Sequence, residues 1–424
     1  MNRKQILLVG VALAAVALVV VGVNGAEEQG ASAPLSMNPN NGVPTFEVDP
    51  LFPKNLPNHW LMGPTIGVDV DSRDHIWVVH RNTPDNFVAN TEIGLVQDPP
   101  LSECCQPGPP VLEFDQAGNL VQAWGGPGTE TGDYTWPASN HGITIDGMDN
   151  VWIGGNGGAD AHVVKFDRQG NFLLQVGKSG ARMTGPVSER TGQPTPQRNS
   201  LATDSFGRVA KIGIDDAANE AYFADGYFNR RMAVVDMTTG EMKRFWGAYG
   251  NEPDDSADLG RYSQDAPPAQ QFRGPVHCGE VSNDGLVYVC DRAADRIQIF
   301  QKDGTFVSEH FVAPATLSQG STWDIDFSHD AEQRWIYLAD GQNMKVYIIE
   351  RETMETLTAF GDGGRQPGMF FAVHSIAVDS KGNIYTTETY EGSRLQKFTF
   401  KGYAPVPEGA EGEKSQGVLW PTTN

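Results

Sequence analysis

Three of the nine histidines in the chain stand in a common register. His141, His277 and His374 each lie 11 residues before an aromatic residue, Trp152, Tyr288 and Tyr385, that ends a similar short motif. Three neutral imidazoles brought together leave one coordination position open, the arrangement of catalytic rather than structural zinc. Copper, iron or cobalt also accept three nitrogens, so Zn²⁺ is the favoured ion and another divalent transition metal the alternative. A second set follows the same aromatic positions. Arg81 lies four residues after Trp77 and Arg292 four after Tyr288; Tyr227 lies five after Tyr222, in a unit whose first turn is one residue longer. Two guanidiniums and a phenol beside a metal form an anion-binding, acid–base surface, which makes Arg81, Tyr227 and Arg292 the candidate catalytic residues. Taken singly, each is equally an ordinary strand-end residue paired with a nearby aspartate, and a lone histidine is more often structural than a ligand. His59, His75, His80, His162, His310 and His329 share no register and read as surface or loop residues.

The elements that position these residues are copies of one unit. An alternating apolar run ends in Asp or Ser, then come a turn, a short run with Trp or Tyr, and two further runs around a second turn. Gly142 to Trp152 and Ser375 to Tyr385 are the clearest copies, and the aromatic anchors are Trp77, Trp152, Tyr222, Tyr288, Tyr337 and Tyr385. The later halves, such as Val111 to Val121, Val164 to Leu173 and Ile297 to Val307, read as hairpins by alternation around Asp, Gly and Asn turns. Four antiparallel strands per unit, six units and no sustained helical period predict an all-β, six-bladed β-propeller. The sixth unit runs out after three strands, and Thr45 to Asp49 is the expected donor of its missing outer strand, closing the ring and removing an exposed edge. The three histidines then fall on alternate blades at the start of the innermost strand, where they converge on the axial channel. Ile66, Ala210 and Trp323 hold the same place in the other three units, and none is a ligand. The candidate arginines and tyrosine, on the antiparallel neighbouring strands, face the same end of the channel. Long insertions at 82–109, 179–207 and 248–273 either decorate the surface or roof the channel.

Composition bounds the remainder. With 31 basic against 53 acidic residues the net charge is −22, so phosphate neutralisation is excluded and no nucleic acid partner is expected. The chain has ample core material, with 9 Trp, 11 Tyr and 20 Phe. Arg3 and Lys4 precede an apolar run from Ile6 to Val23 and a small residue, Gly25, which suits an export signal cleaved before Ala26. The run is also just long enough to serve as an uncleaved membrane anchor. The expected organisation is a signal peptide or anchor over 1–25, a flexible linker over 26–44, the propeller over 45–404 and a surface tail over 405–424. A periplasmic or extracellular monomer is expected, touching membrane only through an uncleaved anchor. Four cysteines in an exported chain favour oxidation. Cys278 and Cys290 flank the turn Asn283-Asp284-Gly285 at equal distance, which places them opposite each other for a cross-strand disulfide. The adjacent Cys104 and Cys105 could form a vicinal ring, pair with another chain or bind metal.

The stretches Val79-His80-Arg81, His141-Gly142-Ile143, Asp225 to Arg230, Val276-His277, Asp291-Arg292 with Asp295 to Gln298, and Val373-His374 resemble the catalytic domain of peptidyl-α-hydroxyglycine α-amidating lyase. The likeness covers roughly residues 60–400, with the motifs in the same order. The resemblance implies an NHL-repeat six-bladed propeller, zinc held by His141, His277 and His374, and a site completed by Arg81, Tyr227 and Arg292. It also implies cleavage of a carbinolamide to a peptide amide and glyoxylate, with the metal polarising oxygen, a basic oxygen such as the Tyr227 phenolate taking the hydroxyl proton, and an arginine holding the carboxylate. In that family an aspartate follows the last histidine and helps bind a channel Ca²⁺; Ser375 stands here, which counts against calcium. No copper monooxygenase domain is read in this chain, so an α-hydroxylated substrate is expected from elsewhere. The chain also resembles secreted bacterial NHL propellers whose substrates their sequences do not reveal. Two functions therefore stand: a zinc-dependent lyase acting on a small carboxylate-bearing or peptidyl-α-hydroxyglycine-type substrate, and a non-enzymatic NHL propeller binding a protein or small ligand with a structural metal.

Overall fold

A computed structural model describes residues 35–407. The expected signal or anchor at 1–25 and most of the tail from 408 onward lie outside the described residues. Six four-stranded antiparallel sheets make a six-bladed β-propeller, and the helical elements among the described residues are short 3-10 turns. The innermost strands of blades 1 to 6 are Thr65–Val70, Asn140–Ile145, Ile212–Asp215, Val276–Val281, Asp324–Phe327 and Val373–Val378. Each packs on its neighbour around the axis, and the sixth packs on the first.

The Asp that ends the repeated run has a local reason. In blade 2, Asp146 Oδ1 accepts the turn N–H groups of Met148 and Asn150 at 3.0 and 2.9 Å, while Oδ2 accepts the Trp152 indole N–H at 3.0 Å. Asp71 does the same for Arg73, His75 and Trp77, and Asp379 for Lys381, Asn383 and the Tyr385 hydroxyl. One carboxylate thus satisfies the turn's free donors and the polar tip of the buried anchor together, removing the cost of burying them unpaired. In blades 4 and 5 the shorter Ser282 and Ser328 hydroxyls accept from the backbone of Leu286 and Trp335.

The core is a set of apolar layers between adjacent blades. Trp77, Val79 and Val111 of blade 1 meet Ile143, Ile153 and Phe166 of blade 2 in one of them. The ring closes as expected: Val43–Asp49 pairs antiparallel with Arg394–Ala404 as the outer strand of blade 6. Pairing starts earlier than the 45 boundary, since Val43 already pairs with Ala404 and Ser36 bridges to Tyr403. Val43, Phe46 and Val48 are buried against Tyr337, Phe360 and Phe398. Burying each such side chain is worth about 1.5–3 kcal/mol, so the closing strand is held by packing as well as by its ladder. The end of the first insertion, Gln106–Pro107, pairs in parallel with Trp60–Leu61 ahead of blade 1. Among the described residues no helix is long and apolar enough to cross a membrane.

Two of the histidines read as surface or loop residues are buried. His80 sits at the end of a blade 1 strand, its ring between the Gly63 N–H and the Pro109 carbonyl. His162 starts a blade 2 strand and reaches the Thr135 carbonyl. Both rings serve backbone groups of irregular connecting segments, partners that no periodicity in the sequence announces.

Candidate metal centre

A β-bulge sits at the head of the innermost strand in the histidine-bearing blades. In blade 4 the ladder runs Val276 to Asp291 and then Cys278 to Cys290, leaving His277 unpaired. In blade 6 it runs Val373 to Glu388 and then Ser375 to Thr387, leaving His374 out. In blade 2 it jumps from Asn140 to Ile143 across His141. An extra residue in one strand re-aims its side chain, here toward the axis. The three rings converge, with centroids 5.1 Å apart for His141–His277, 4.8 Å for His141–His374 and 4.9 Å for His277–His374. All three are buried, at 1%, 2% and 4% exposure.

Each ring is oriented by the next blade. His141 Nδ1 faces the Ala210 carbonyl of blade 3 at 2.7 Å, His277 Nδ1 the Trp323 carbonyl before blade 5, and His374 Nδ1 the Ile66 carbonyl of blade 1 at 2.6 Å. A carbonyl only accepts, so each Nδ1 carries the proton and each Nε2 presents a lone pair to the axis. Ile66, Ala210 and Trp323, the residues in register on the intervening blades, therefore contribute through their backbones. Gly142 permits this approach, since a Cβ there would meet the Ala210 carbonyl oxygen at 2.5 Å.

Tyr227 lies over two of the rings, its hydroxyl 2.9 Å from both His141 Nε2 and His277 Nε2. Arg292 Nη1 donates to the same hydroxyl at 3.2 Å, and its guanidinium stacks 4.5 Å from the Trp323 ring. Gln319 fixes that guanidinium, accepting from Nε through its carbonyl and from Nη2 through Oε1, each at 3.1 Å; Tyr390 in turn hydrogen-bonds Gln319. Arg81 stands on the same face, donating to Asn156 Oδ1 at 2.9 Å, at the edge of a cavity of about 110 Å³.

Burial first, and then neighbouring positive groups, hold the imidazoles neutral. His374 is pushed down to about 3, and His141 and His277 lie well below the ordinary histidine value. Burial also lowers Arg81. The donor set fits a divalent transition metal on an internal criterion. Three unprotonated Nε2 atoms face one another, and one phenolic proton cannot serve the two that Tyr227 touches. A cation satisfies all of them. The fixed Nδ1–H tautomers are the orientation that ligating histidines need.

The structure thus brings together five of the six residues singled out from sequence and puts the sixth, Arg81, on the same rim. Sequence reasoning missed Gln319, Asn156 and Tyr390, which lie on connections outside the repeated unit. A second group able to hold a metal, Asp71, His75 and Glu113, already has its cation. Arg168 is salt-bridged to Asp71 through Nη1 and to Glu113 through Nη2. Both cysteine pairs are disulfides. Cys278 and Cys290 lie directly opposite with Cα atoms 4.9 Å apart, bracing the strands behind His277 and Arg292. Cys104 and Cys105 form a vicinal bridge on the first insertion.

No family model matches the chain. It is 25% identical over 293 residues to peptidyl-alpha-hydroxyglycine alpha-amidating lyase 1 of Drosophila melanogaster, covering 66% of this chain and 48% of that protein. It is 31% identical over 157 residues to peptidyl-glycine alpha-amidating monooxygenase B of Xenopus laevis, covering 35% of this chain and 16% of that protein. NHL repeat-containing protein 3 of Mus musculus matches at 24% identity over 373 residues, 84% of each. The chain spans about half the length of the first relative and far less of the second. Among solved structures, a streptogramin B lyase superposes with a TM-score of 0.46 at 12% identity, covering 84% of this chain and 98% of that one. Virginiamycin B lyase from Staphylococcus aureus gives 0.42 at 11% identity, covering 89% and 93%. At these scores the superpositions bear on neither site nor substrate. The chain is a six-bladed propeller whose sequence is similar to an NHL repeat-containing protein and to the amidating lyases.

Proposed function

We propose that this propeller is a zinc-dependent lyase that cleaves a carboxylate-bearing carbinolamide of the peptidyl-α-hydroxyglycine type. The observation that carries the reading is the Tyr227 hydroxyl, set 2.9 Å from two converging imidazoles and 3.2 Å from Arg292. A site that only pinned the fold would need neither that phenol nor two arginines at one rim.

His141, His277 and His374 would hold the zinc, which when bound supplies a Lewis acid for a substrate oxygen. The chain's own residues supply the rest. Arg292, locked by Gln319, and Arg81 bind the substrate carboxylate, and the buried setting strengthens those contacts. Arg292 also donates to the Tyr227 oxygen and holds it in place. Tyr227 acts as the general base that takes the proton of the substrate hydroxyl. The oxygen's electrons form the aldehyde C=O as the C–N bond breaks, and the amide nitrogen leaves with that pair. Tyr227 returns the proton to this nitrogen. The products are a peptide amide and glyoxylate, with atoms and charge conserved.

Two disulfides fit work outside the cytoplasm, as a monomer without nucleic acid. The test is metal analysis of the purified chain followed by incubation with an α-hydroxyglycine peptide. One zinc per chain and glyoxylate release are expected. Bound zinc without glyoxylate would leave the metal site standing, refute the amidating chemistry and favour a ligand-binding propeller.

A further inference from the structure

Beyond the histidine level, the axial channel changes character. Three residues further along the innermost strands stand Asp69 in blade 1, Glu280 in blade 4 and Asp326 in blade 5, all lining a chamber of about 230 Å³ together with Asp216, Thr144 and Lys211. One residue beyond the histidine level stand Asp324 in blade 5, whose side chain is 2% exposed, and Lys211 in blade 3, at 11%. The chamber lies at the end of the channel away from Arg81, because Asp69 pairs with Trp77 while Thr65 pairs with His80.

Four of these carboxylates, Asp69, Glu280, Asp324 and Asp326, face one ammonium. Lys211 Nζ donates to Asp324 Oδ1 and Oδ2 at 2.9 and 2.8 Å and meets Glu280 Oε1 at 3.3 Å. That Glu280 oxygen accepts no hydrogen bond. Ser375 Oγ donates to Asp324 Oδ2 at 2.6 Å, joining blade 6 to the knot. Asp69 and Asp326 are each pinned through Oδ2 by an amide of the following blade, Ile145 and Val378. Burial pushes Glu280 up to about 8 and Asp69 up to about 7, the sign of carboxylates short of counter-charge.

We propose that the Lys211 ammonium is the channel's own tethered counter-cation, seated where the carboxylates of Asp324, Glu280 and their neighbours would otherwise hold a divalent metal ion. The wild-type chamber then takes up no free calcium, and removing the ammonium turns it into a calcium site. Hard carboxylate oxygens are the ligands such an ion selects. The inference is independent of the chemistry at the histidines and does not require the chain to be an enzyme.

The test uses the full chain preloaded with zinc, as wild type, as Lys211→Met and as the double variant Lys211→Met/Asp324→Asn, with Ca²⁺ or Tb³⁺ as the probe. Wild type should show no calcium-dependent change in thermal midpoint and no saturable terbium luminescence. Lys211→Met should melt lower without calcium and gain about 3 °C or more in millimolar calcium, with saturable terbium binding. The double variant should recover stability without calcium and respond to it less. If Lys211→Met folds only when calcium is supplied, or folds again once Asp324→Asn is added, the counter-ion role stands. A wild type that responds to calcium as the variant does overturns the proposal. So does a folded Lys211→Met that ignores both ions, or failure of both variants to fold with and without calcium.

Discussion

Replacing His277 with alanine should uncouple the stability of this propeller from divalent metal. The three histidine ligand atoms already lie within 4.8 Å of one another in a buried site, so metal binds the folded chain and not the unfolded one. At a free concentration one hundred times the dissociation constant, such binding adds about 2.7 kcal/mol. Unfolding about 360 ordered residues carries an entropy of roughly 0.76 kcal/mol per degree, so the midpoint should rise by about 3–4 °C. His277→Ala removes one of three ligands and the partner of the Trp323 carbonyl, so the variant should lose the metal-dependent rise. It should also start lower by about 1–3 kcal/mol from the buried carbonyl left unpaired. The assay is thermal melting of chelator-treated protein during zinc titration, with metal content measured in parallel. If His277→Ala keeps the full zinc-dependent rise, the ion binds elsewhere and the tripod reading is wrong.

Tyr227→Phe should keep its metal and lose activity by about 10²–10⁴-fold if the phenol moves the proton, as judged by glyoxylate release alongside metal analysis. The Glu280 contribution to stability should fall as pH rises from 5 to 8, against the opposite slope that the depressed histidines His141, His277 and His374 give below about 6.5. Glu280 is raised from 4.5 to about 8 in the fold, so its contribution is full below 4.5 and lost as pH climbs through 8. The groups facing it are Lys211, Asp324, Asp326 and Asp69. Glu280→Gln should remove that falling component from the slope of urea midpoints between those pH values, and an unchanged slope would assign the effect to other groups. Phe46→Ala, in the closing strand and 2% exposed, should cost about 3–5 kcal/mol in urea unfolding; a loss below 1 kcal/mol would mean the ring holds without that strand's packing.

The parts of the fold written as local repetition were legible from sequence. The Asp at the end of the inner strand recurs in blades 1, 2 and 6 because the same oxygens cap the same turn and anchor, with Ser in its place in blades 4 and 5, and so the blade count and the register of His141, His277 and His374 could be read directly. The bulges that swing those histidines out of the ladder could not, since a bulge appears only in the pairing with another strand. The carbonyls that orient the rings belong to Ile66, Ala210 and Trp323, whose side chains give no hint of the role. Gln319 and Asn156, which hold the arginines, lie on connections with no period. His80 and His162 seemed peripheral because their partners, Pro109 and Thr135, also lie on irregular segments.

The bond from His374 to the Ile66 carbonyl crosses the seam where the last blade meets the first, joining residues 308 positions apart. One leg of the tripod is therefore steadied only after the whole polypeptide has come full circle. During synthesis the first two histidines find their supports within the growing chain, whereas the third must wait for the opening strands to be revisited. Tight metal uptake thus becomes a late event, and loss of metal an early report that the seam has parted.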